Sequence, residues 1–153
     1  MTLTALPRLY TVPPAGRSVL AERAAARRAD RGPRQVRALP AHDAETPGRA
    51  GFTCGIALGV WGVPGEQAEQ LAQVAGELTA YVVREVRCER VIVVTAYRHG
   101  CATISVIALH GRARRALDPG QLPYVRAAAT ETGVIPNSAM GPCVYARTWA
   151  MHS

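Results

Sequence analysis

One long stretch, from Gly65 to about Val86, constrains the fold most because it predicts a single amphipathic helix. Its apolar residues recur at helical spacing, which places them along one face. They are Leu71, Val74, Ala75, Leu78 and Val82. A helix with one apolar face must bury that face against a sheet or another helix, so we expect this segment to form part of a packed layer.

Two strongly apolar segments follow this helix, Val91 to Tyr97 and Ala102 to Leu109. A short turn that contains His99-Gly100 joins them, so we predict an antiparallel hairpin. Arg34 to Leu39 alternates polar and apolar residues and predicts an edge strand. Cys143 to Ala150 alternates in the same way and predicts the last strand of the chain.

A second helix is predicted from Thr46 to about Val60, ending at Gly62. Thr46 is its expected N-cap, and Pro47 lies in its first turn, where proline is favoured. Three glycines at four-residue spacing form a stripe along this helix: Gly51, Gly55 and Gly59. Such a stripe lets another backbone approach closely, in a dimer seam or within one chain, and we favour packing within the chain.

Residues 111–120 are predicted to form a polar loop and residues 121–132 a helix. The predicted order is therefore strand, helix, helix, strand, strand, helix, strand. Antiparallel strands with helices between them favour an α/β (α+β) two-layer sandwich. We expect a mixed, mainly antiparallel sheet with the helices on one face.

Positive charge is concentrated near the N-terminus. The chain has 153 residues and a formal net charge of +7, and every basic residue is arginine. Ser18 to Asp30 predicts a short helix with few large apolar residues. We therefore divide the chain into an arginine-rich extension, residues 1–33, and one domain, residues 34–153. Such an arm suits nucleic acid or an acidic partner surface, although a solvated helix is the simpler expectation.

The four cysteines, Cys54, Cys88, Cys101 and Cys143, form no closely spaced pair. This spacing predicts buried free thiols in a cytoplasmic protein and no metal site. The longest uncharged run, Ala50 to Gly65, is shorter than the roughly 20 apolar residues that span a bilayer. The N-terminus also lacks a signal-peptide pattern, so we expect no association with a membrane.

In the Gly65–Val86 helix, Glu77 and Tyr81 lie one turn apart on one face. The segment Glu77-Leu78-Thr79-Ala80-Tyr81-Val82-Val83-Arg84 resembles the first nucleotide-binding motif of the GHKL (Bergerat-fold) ATPases, in particular the serine kinases that act as anti-sigma factors. That motif reads Glu-Leu-x-x-Asn-Ala-x-Arg-His, and Glu77, Leu78 and Arg84 match it. The order of predicted elements from Arg34 to Met151 is similar to that of the family.

The resemblance implies a histidine-kinase-like ATPase fold and a set of nucleotide-binding positions. These positions are Glu77, Tyr81, Arg84, His110, Gly111 and Gly120. It gives Glu77 a catalytic role only if the protein is an active kinase. ATP with magnesium is the implied cofactor only if these motifs still function.

Four positions depart from the family pattern. Tyr81 stands where the family has the asparagine that ligates magnesium, which prefers oxygen ligands in octahedral geometry. Glu85 replaces the histidine, and His110 replaces the aspartate that recognises adenine. Gly120 lies in a stiff turn between two prolines instead of a glycine-rich lid. We therefore predict that the Tyr81 ring fills the phosphate cavity and that no cofactor binds.

These departures favour a non-catalytic regulatory protein that binds another protein, such as a sigma factor or an anti-sigma antagonist. A homodimer is an alternative assembly. A second hypothesis is an active ATP-binding serine kinase with altered motifs. A third is a basic nucleic-acid-binding domain that works through the N-terminal arm and the loop at residues 112–115. We rank the third last because few aromatic residues are present to stack on bases.

Overall fold

The computed structural model describes residues 32–149. Seven strands are present in this range: β1 (Arg34–Pro40), β2 (Val86–Arg87), β3 (Arg90–Arg98), β4 (Cys101–Ala108), β5 (Arg112–Ala113), β6 (Glu131–Ile135) and β7 (Cys143–Trp149). The helices are α1 (Thr46–Val60), α2 (Gly65–Glu85) and α3 (Pro123–Ala128), with a 3-10 turn at Pro119–Gln121. The predicted extension, with its helix at Ser18 to Asp30, lies outside the described residues.

Five strands form one sheet in the order β1-β3-β4-β7-β6, and β2 pairs with β5 in a separate two-stranded ribbon. Every neighbouring pair in the sheet is antiparallel. The expected mixed sheet is therefore wrong in this detail, since residues 32–149 contain no parallel pair. The edge position of β1 is confirmed.

The predicted hairpin between β3 and β4 is confirmed, and its register runs from Val91 opposite Ala108 to Arg98 opposite Cys101. His99 and Gly100 form the two-residue turn, with positive φ angles of 50° and 77°. Positive φ at both positions gives the turn a twist that matches the twist of the flanking strands.

One face of the sheet is buried beneath the two long helices. Along β4 the residues alternate between buried and partly exposed positions, and the buried ones are Ala102, Ile104, Val106 and Ala108. The predicted apolar face of α2 is also confirmed, because all five of its residues belong to the same core. The domain is therefore an α+β arrangement in which α1 and α2 contact the inner face of the sheet.

The glycine stripe on α1 serves packing within the chain at two of its three positions. A Cβ atom at Gly51 would lie 2.7 Å from the carbonyl oxygen of Ala72 in α2, and one at Gly55 would lie 3.2 Å from the Ala72 Cβ. Gly59 faces open space. Close approach of α1 and α2 therefore requires the first two glycines, as the favoured alternative predicted.

The start of α1 differs from the prediction. The N-cap position is Glu45, and the Thr46 hydroxyl donates a hydrogen bond to the carbonyl oxygen of Pro40 at 2.6 Å. Thr46 thus anchors the helix to the end of β1 and does not cap its free N–H groups. Pro47 lies in the first turn, as predicted.

The helix predicted for residues 121–132 is wrong in its second half. α3 ends at Ala128, and Glu131–Ile135 forms β6, which pairs with β7. This pairing depends on a partner strand far along the chain, which local helical spacing does not reveal. Gly133 permits it, because a Cβ atom there would lie 2.6 Å or less from three atoms of the Tyr145 ring and hydroxyl.

Candidate functional site

Glu77 and Tyr81 lie on one face of α2 and bind the segment 118–125, which contains the 3-10 turn and the start of α3. The Tyr81 hydroxyl accepts a hydrogen bond from the backbone N–H of Asp118 at 2.6 Å. A carboxylate oxygen of Glu77 accepts one from the backbone N–H of Val125 at 2.9 Å. Two of the six residues that the resemblance assigns to nucleotide binding thus accept hydrogen bonds from the backbone of the chain itself.

Glu77 caps α3 from a neighbouring helix. Val125 lies in the first turn of α3, whose N–H groups have no partner within the helix. The N-cap residue Leu122 makes no side-chain capping bond. Glu77 satisfies one N–H group and places negative charge at the positive end of the helix dipole. The contact between Glu77 and Val125 therefore stabilises α3 against α2.

Tyr81 is 6% exposed and belongs to the main hydrophobic core. The Arg84 guanidinium lies 5.5 Å from the centre of this ring, within the range of a cation–π contact. Val125 is completely buried in the same core. The ring and the segment 118–125 therefore pack as one unit.

The other predicted positions lie in turns. Gly120 is in the 3-10 turn, and a Cβ atom there would lie 3.1 Å from the Thr132 hydroxyl oxygen. His110 has a positive φ of 51° and is exposed in the turn after β4. Its backbone N–H donates a hydrogen bond to the carbonyl oxygen of Met140 at 2.7 Å. A Cβ atom at Gly111 would lie 2.8 Å from side-chain atoms of Ala108 and Val86. Gly111 thus permits tight packing of this turn.

Glu77 and Tyr81 contact the segment that contains Gly120. His110 and Gly111 lie apart from them, in the turn after β4. A cavity of about 540 Å³ is lined by Glu77, Gly51 and Tyr124, and its walls include neither Tyr81 nor His110. A second cavity of about 630 Å³ is lined by His110 and Gly111 and excludes Glu77. The six positions therefore do not surround one common cavity.

Glu85, at the position of the family histidine, joins two arginines that sequence reasoning did not connect. Its carboxylate accepts hydrogen bonds from Nε of Arg115 at 2.9 Å and from Nε of Arg84 at 3.1 Å. The bond from Arg115, followed by that from Arg84, lowers the pKa of Glu85 below its usual value of 4.5. This ion pair fixes the loop after β5 to the end of α2.

Two surface cavities adjoin at the turn after β4. They measure about 630 Å³ and 510 Å³, and His110 and Arg112 line both of them. We call this pair of cavities the His110 groove. Arg115, Asn137 and Met140 line the first cavity. Arg87, Arg90 and His42 line the second.

Sequence reasoning missed this groove because its walls come from four separate parts of the chain. They are the loop before α1, the β2–β3 region, the turn and strand after β4, and the loop between β6 and β7. The one signal in the sequence was the cluster of arginines at residues 112–115.

The cysteines behave as buried thiols at three of four positions: Cys54, Cys88 and Cys143 are buried, and Cys101 is partly exposed. Burial raises the pKa of Cys54 to about 11 and raises the pKa of Cys88 and Cys143 above the usual value of 9.0. These three thiols are therefore protonated and poorly nucleophilic at neutral pH.

Among residues 32–149, no group of three His, Cys, Asp or Glu side chains is placed to hold a metal ion. In the same range, no helix combines the length and the apolar character that a membrane crossing requires.

Comparison with known proteins found no matching family model and no matching curated protein.

Proposed function

We propose that this chain is a non-catalytic regulatory protein that acts by binding another protein, on a domain related to the histidine-kinase-like (Bergerat-fold) ATPases. The position of the Glu77 motif on the long helix, above an antiparallel sheet, supports this relationship. The partner class that the resemblance implies is a sigma factor or an anti-sigma antagonist.

The main support for the proposal is the pair of hydrogen bonds that Glu77 and Tyr81 accept from backbone N–H groups of the segment 118–125. In the family, the corresponding positions face the phosphates and the magnesium ion. In this chain the carboxylate caps α3 and the phenol is buried. A triphosphate could reach the buried Tyr81, or take the place of the Val125 N–H beside Glu77, only if the segment moved away from α2.

The energetic cost of that movement opposes nucleotide binding. Exposing Val125, which is completely buried, costs about 1.5–3 kcal/mol. Breaking the bond between the Glu77 carboxylate and a backbone N–H costs about another 1.5–3 kcal/mol. Together, about 3–6 kcal/mol would lower the affinity for nucleotide by about 10²–10⁴-fold. A regulatory role without turnover therefore fits these contacts better than catalysis does.

Isothermal titration calorimetry with MgATP tests this proposal. We expect no measurable binding at micromolar affinity by the folded wild-type protein. The matched control is Tyr81→Phe, which removes the bond to Asp118 but keeps the ring, and it is also expected not to bind. Micromolar binding of MgATP by the wild type, or phosphate transfer that Glu77→Ala stops, would refute the proposal and support an active kinase.

A further inference from the structure

We propose that the His110 groove binds an acidic, partly apolar peptide segment of a partner protein. This inference rests on the proposed function, because it names the docking place and the chemistry of the partner in a protein that acts by binding. Three features of the groove support this inference: its charge, the arrangement of two arginines, and the apolar residues among its lining.

Positive charge dominates the groove. Arg87, Arg90 and Arg112 line one of its cavities. Arg112 and Arg115 line the other, where the charge of Arg115 is balanced by Glu85. Glu89 is the one carboxylate among the described residues that line the two cavities. A concave surface lined by charge of one sign concentrates its field and attracts ligands of opposite charge.

The positions of Arg87 and Arg112 indicate where a ligand carboxylate would bind. They are directly opposite each other in the ribbon of β2 and β5, where side chains point to the same face. Like charges in this arrangement are unfavourable. Neither arginine forms an ion pair within residues 32–149. A carboxylate from a ligand would relieve this repulsion and accept hydrogen bonds from both guanidinium groups.

Lack of an ion pair does not by itself distinguish these two arginines. Arg49, Arg84, Arg115 and Arg147 each form an ion pair with a carboxylate of the chain. Other exposed arginines, such as Arg114, form none within residues 32–149, so it is their direct opposition in the ribbon that sets Arg87 and Arg112 apart.

Apolar residues in the groove favour a peptide over a nucleic acid. Leu109, Leu117, Val134 and Met140 contribute to its walls, and Met140 is 42% exposed. The two cavities have the size of typical ligand sites and accept several side chains. No phenylalanine, tyrosine or tryptophan is among their described lining residues, so stacking of unpaired bases would depend on the smaller rings of His42 and His110 and on the arginine planes.

Fluorescence anisotropy with a labelled peptide of alternating glutamate and leucine tests the inference directly. The full chain is expected to bind this peptide, and to bind the matched glutamine–leucine peptide at least about tenfold more weakly. Binding is expected to weaken as ionic strength rises above about 0.1 M. If the glutamate peptide does not bind, or binds no better than the glutamine peptide, the inference is wrong.

Arg112→Glu locates the binding site. We expect it to weaken peptide binding by about tenfold or more, whereas Arg114→Glu is expected to change it by less than about twofold. Arg114 is a matched control because it is an exposed arginine two residues from Arg112 and lines neither cavity. Equal effects of the two substitutions would contradict the inference, since they would indicate attraction by overall charge.

The melting temperature shows whether the Arg112→Glu variant is folded. In Arg112→Glu the new carboxylate faces Arg87, so the ribbon gains a favourable pair, and the melting temperature is expected to rise by about 1–4 °C. Should the variant unfold instead, Arg112→Gln removes the charge without reversing it and is expected to weaken peptide binding by about threefold or more. Unchanged peptide binding by a folded Arg112→Gln variant would refute the inference.

The remaining outcomes separate this inference from the proposed function. A labelled single-stranded oligonucleotide that binds more tightly than the peptide, and loses affinity in Arg112→Glu, would replace the peptide ligand with nucleic acid. Absence of peptide binding together with absence of MgATP binding would refute the groove inference alone. Binding of MgATP at micromolar affinity would refute the proposed function, whatever the peptide does.

Discussion

Two polar regions of this domain differ in how their hydrogen-bonding and charged groups are satisfied. On α2, Glu77 and Tyr81 both find backbone N–H partners in the segment 118–125. In the His110 groove, Arg87 and Arg112 face each other, and neither forms an ion pair with a carboxylate of the described residues. Partners within the chain indicate a structural role for Glu77 and Tyr81. The facing arginines repel each other and are the basis of the ligand site that we propose.

The comparison predicts that substitutions on α2 change stability, whereas substitutions in the groove change binding. The energetic reason is the difference in burial. A buried polar group that loses its partner carries the full cost of desolvation, whereas an exposed arginine remains solvated.

The largest effect is expected for Tyr81→Ala. Removing the buried ring leaves a cavity and an unpaired N–H at Asp118, so the free energy of unfolding is expected to fall by about 3–5 kcal/mol. Tyr81→Phe keeps the ring and is expected to cost only about 1–2 kcal/mol. Urea unfolding followed by circular dichroism measures both. A loss below about 1 kcal/mol for Tyr81→Ala would contradict the buried position of the ring.

A second contrast lies within α1, whose packing against α2 holds the Glu77 helix in place. Gly51→Ala is expected to lower the free energy of unfolding by about 1–3 kcal/mol, because the added Cβ would meet the Ala72 carbonyl oxygen. Gly59→Ala is the matched control and is expected to stabilise by up to about 1 kcal/mol, because its Cβ meets open space. The same urea experiment applies, and equal effects would argue against the close helix contact.

Glu77→Ala tests whether the hydrogen bond between Glu77 and Val125 stabilises the domain. It removes the cap of α3, so we expect a loss of about 1–2 kcal/mol in the free energy of unfolding. Glu77→Gln keeps an acceptor for the Val125 N–H and is expected to lose less than Glu77→Ala. Glu69→Ala, at an exposed position of the same helix, is expected to stay within about 0.5 kcal/mol of the wild type. An equally small effect of Glu77→Ala would mean that the Val125 contact contributes little.

The smallest effect concerns Glu85, which lies at the boundary between the two regions. Its pKa is lowered in the folded state, first by Arg115 and then by Arg84. The folded state therefore releases this proton more readily than the unfolded state does. The resulting stabilisation is fully present above the usual pKa of 4.5 and is lost as pH falls through the folded-state value.

Arg115→Ala tests this pH dependence, because it removes the main cause of the lowered pKa. The urea midpoint of the wild type is expected to fall more steeply with acidification below pH 4.5 than that of the variant. The difference is expected to shrink at high salt, since exposed charges are screened. Identical acid profiles for the two proteins would indicate that the ion pair does not stabilise the fold.

Local patterns predicted the elements whose stability comes from one apolar face. The spacing from Leu71 to Val82 predicted α2, and alternation along Cys143 to Ala150 predicted β7, because burial of one face selects both the period and the element. The segment 121–132 was mispredicted because β6 forms only by pairing with β7. Its backbone partners are distant in the sequence, and local spacing carries no information on them.

The candidate sites were less predictable than the fold. Sequence pattern placed Glu77 and Tyr81 together on one helical face, but it could not identify Asp118 and Val125 as their partners. The groove depends on the register that sets Arg87 opposite Arg112, and on loops from four parts of the chain. Neither the partners of Glu77 and Tyr81 nor the groove produces a periodic pattern in the sequence, so both could be identified only from the three-dimensional structure.

The central claim is that Glu77 and Tyr81 bind the segment 118–125 in place of a nucleotide. Amide hydrogen exchange at Asp118 and Val125, measured by NMR with and without MgATP, tests it most directly. Both amides are expected to exchange slowly and at rates that MgATP does not change. Fast exchange in the free protein, or loss of protection at these two amides when MgATP is added, would contradict the claim.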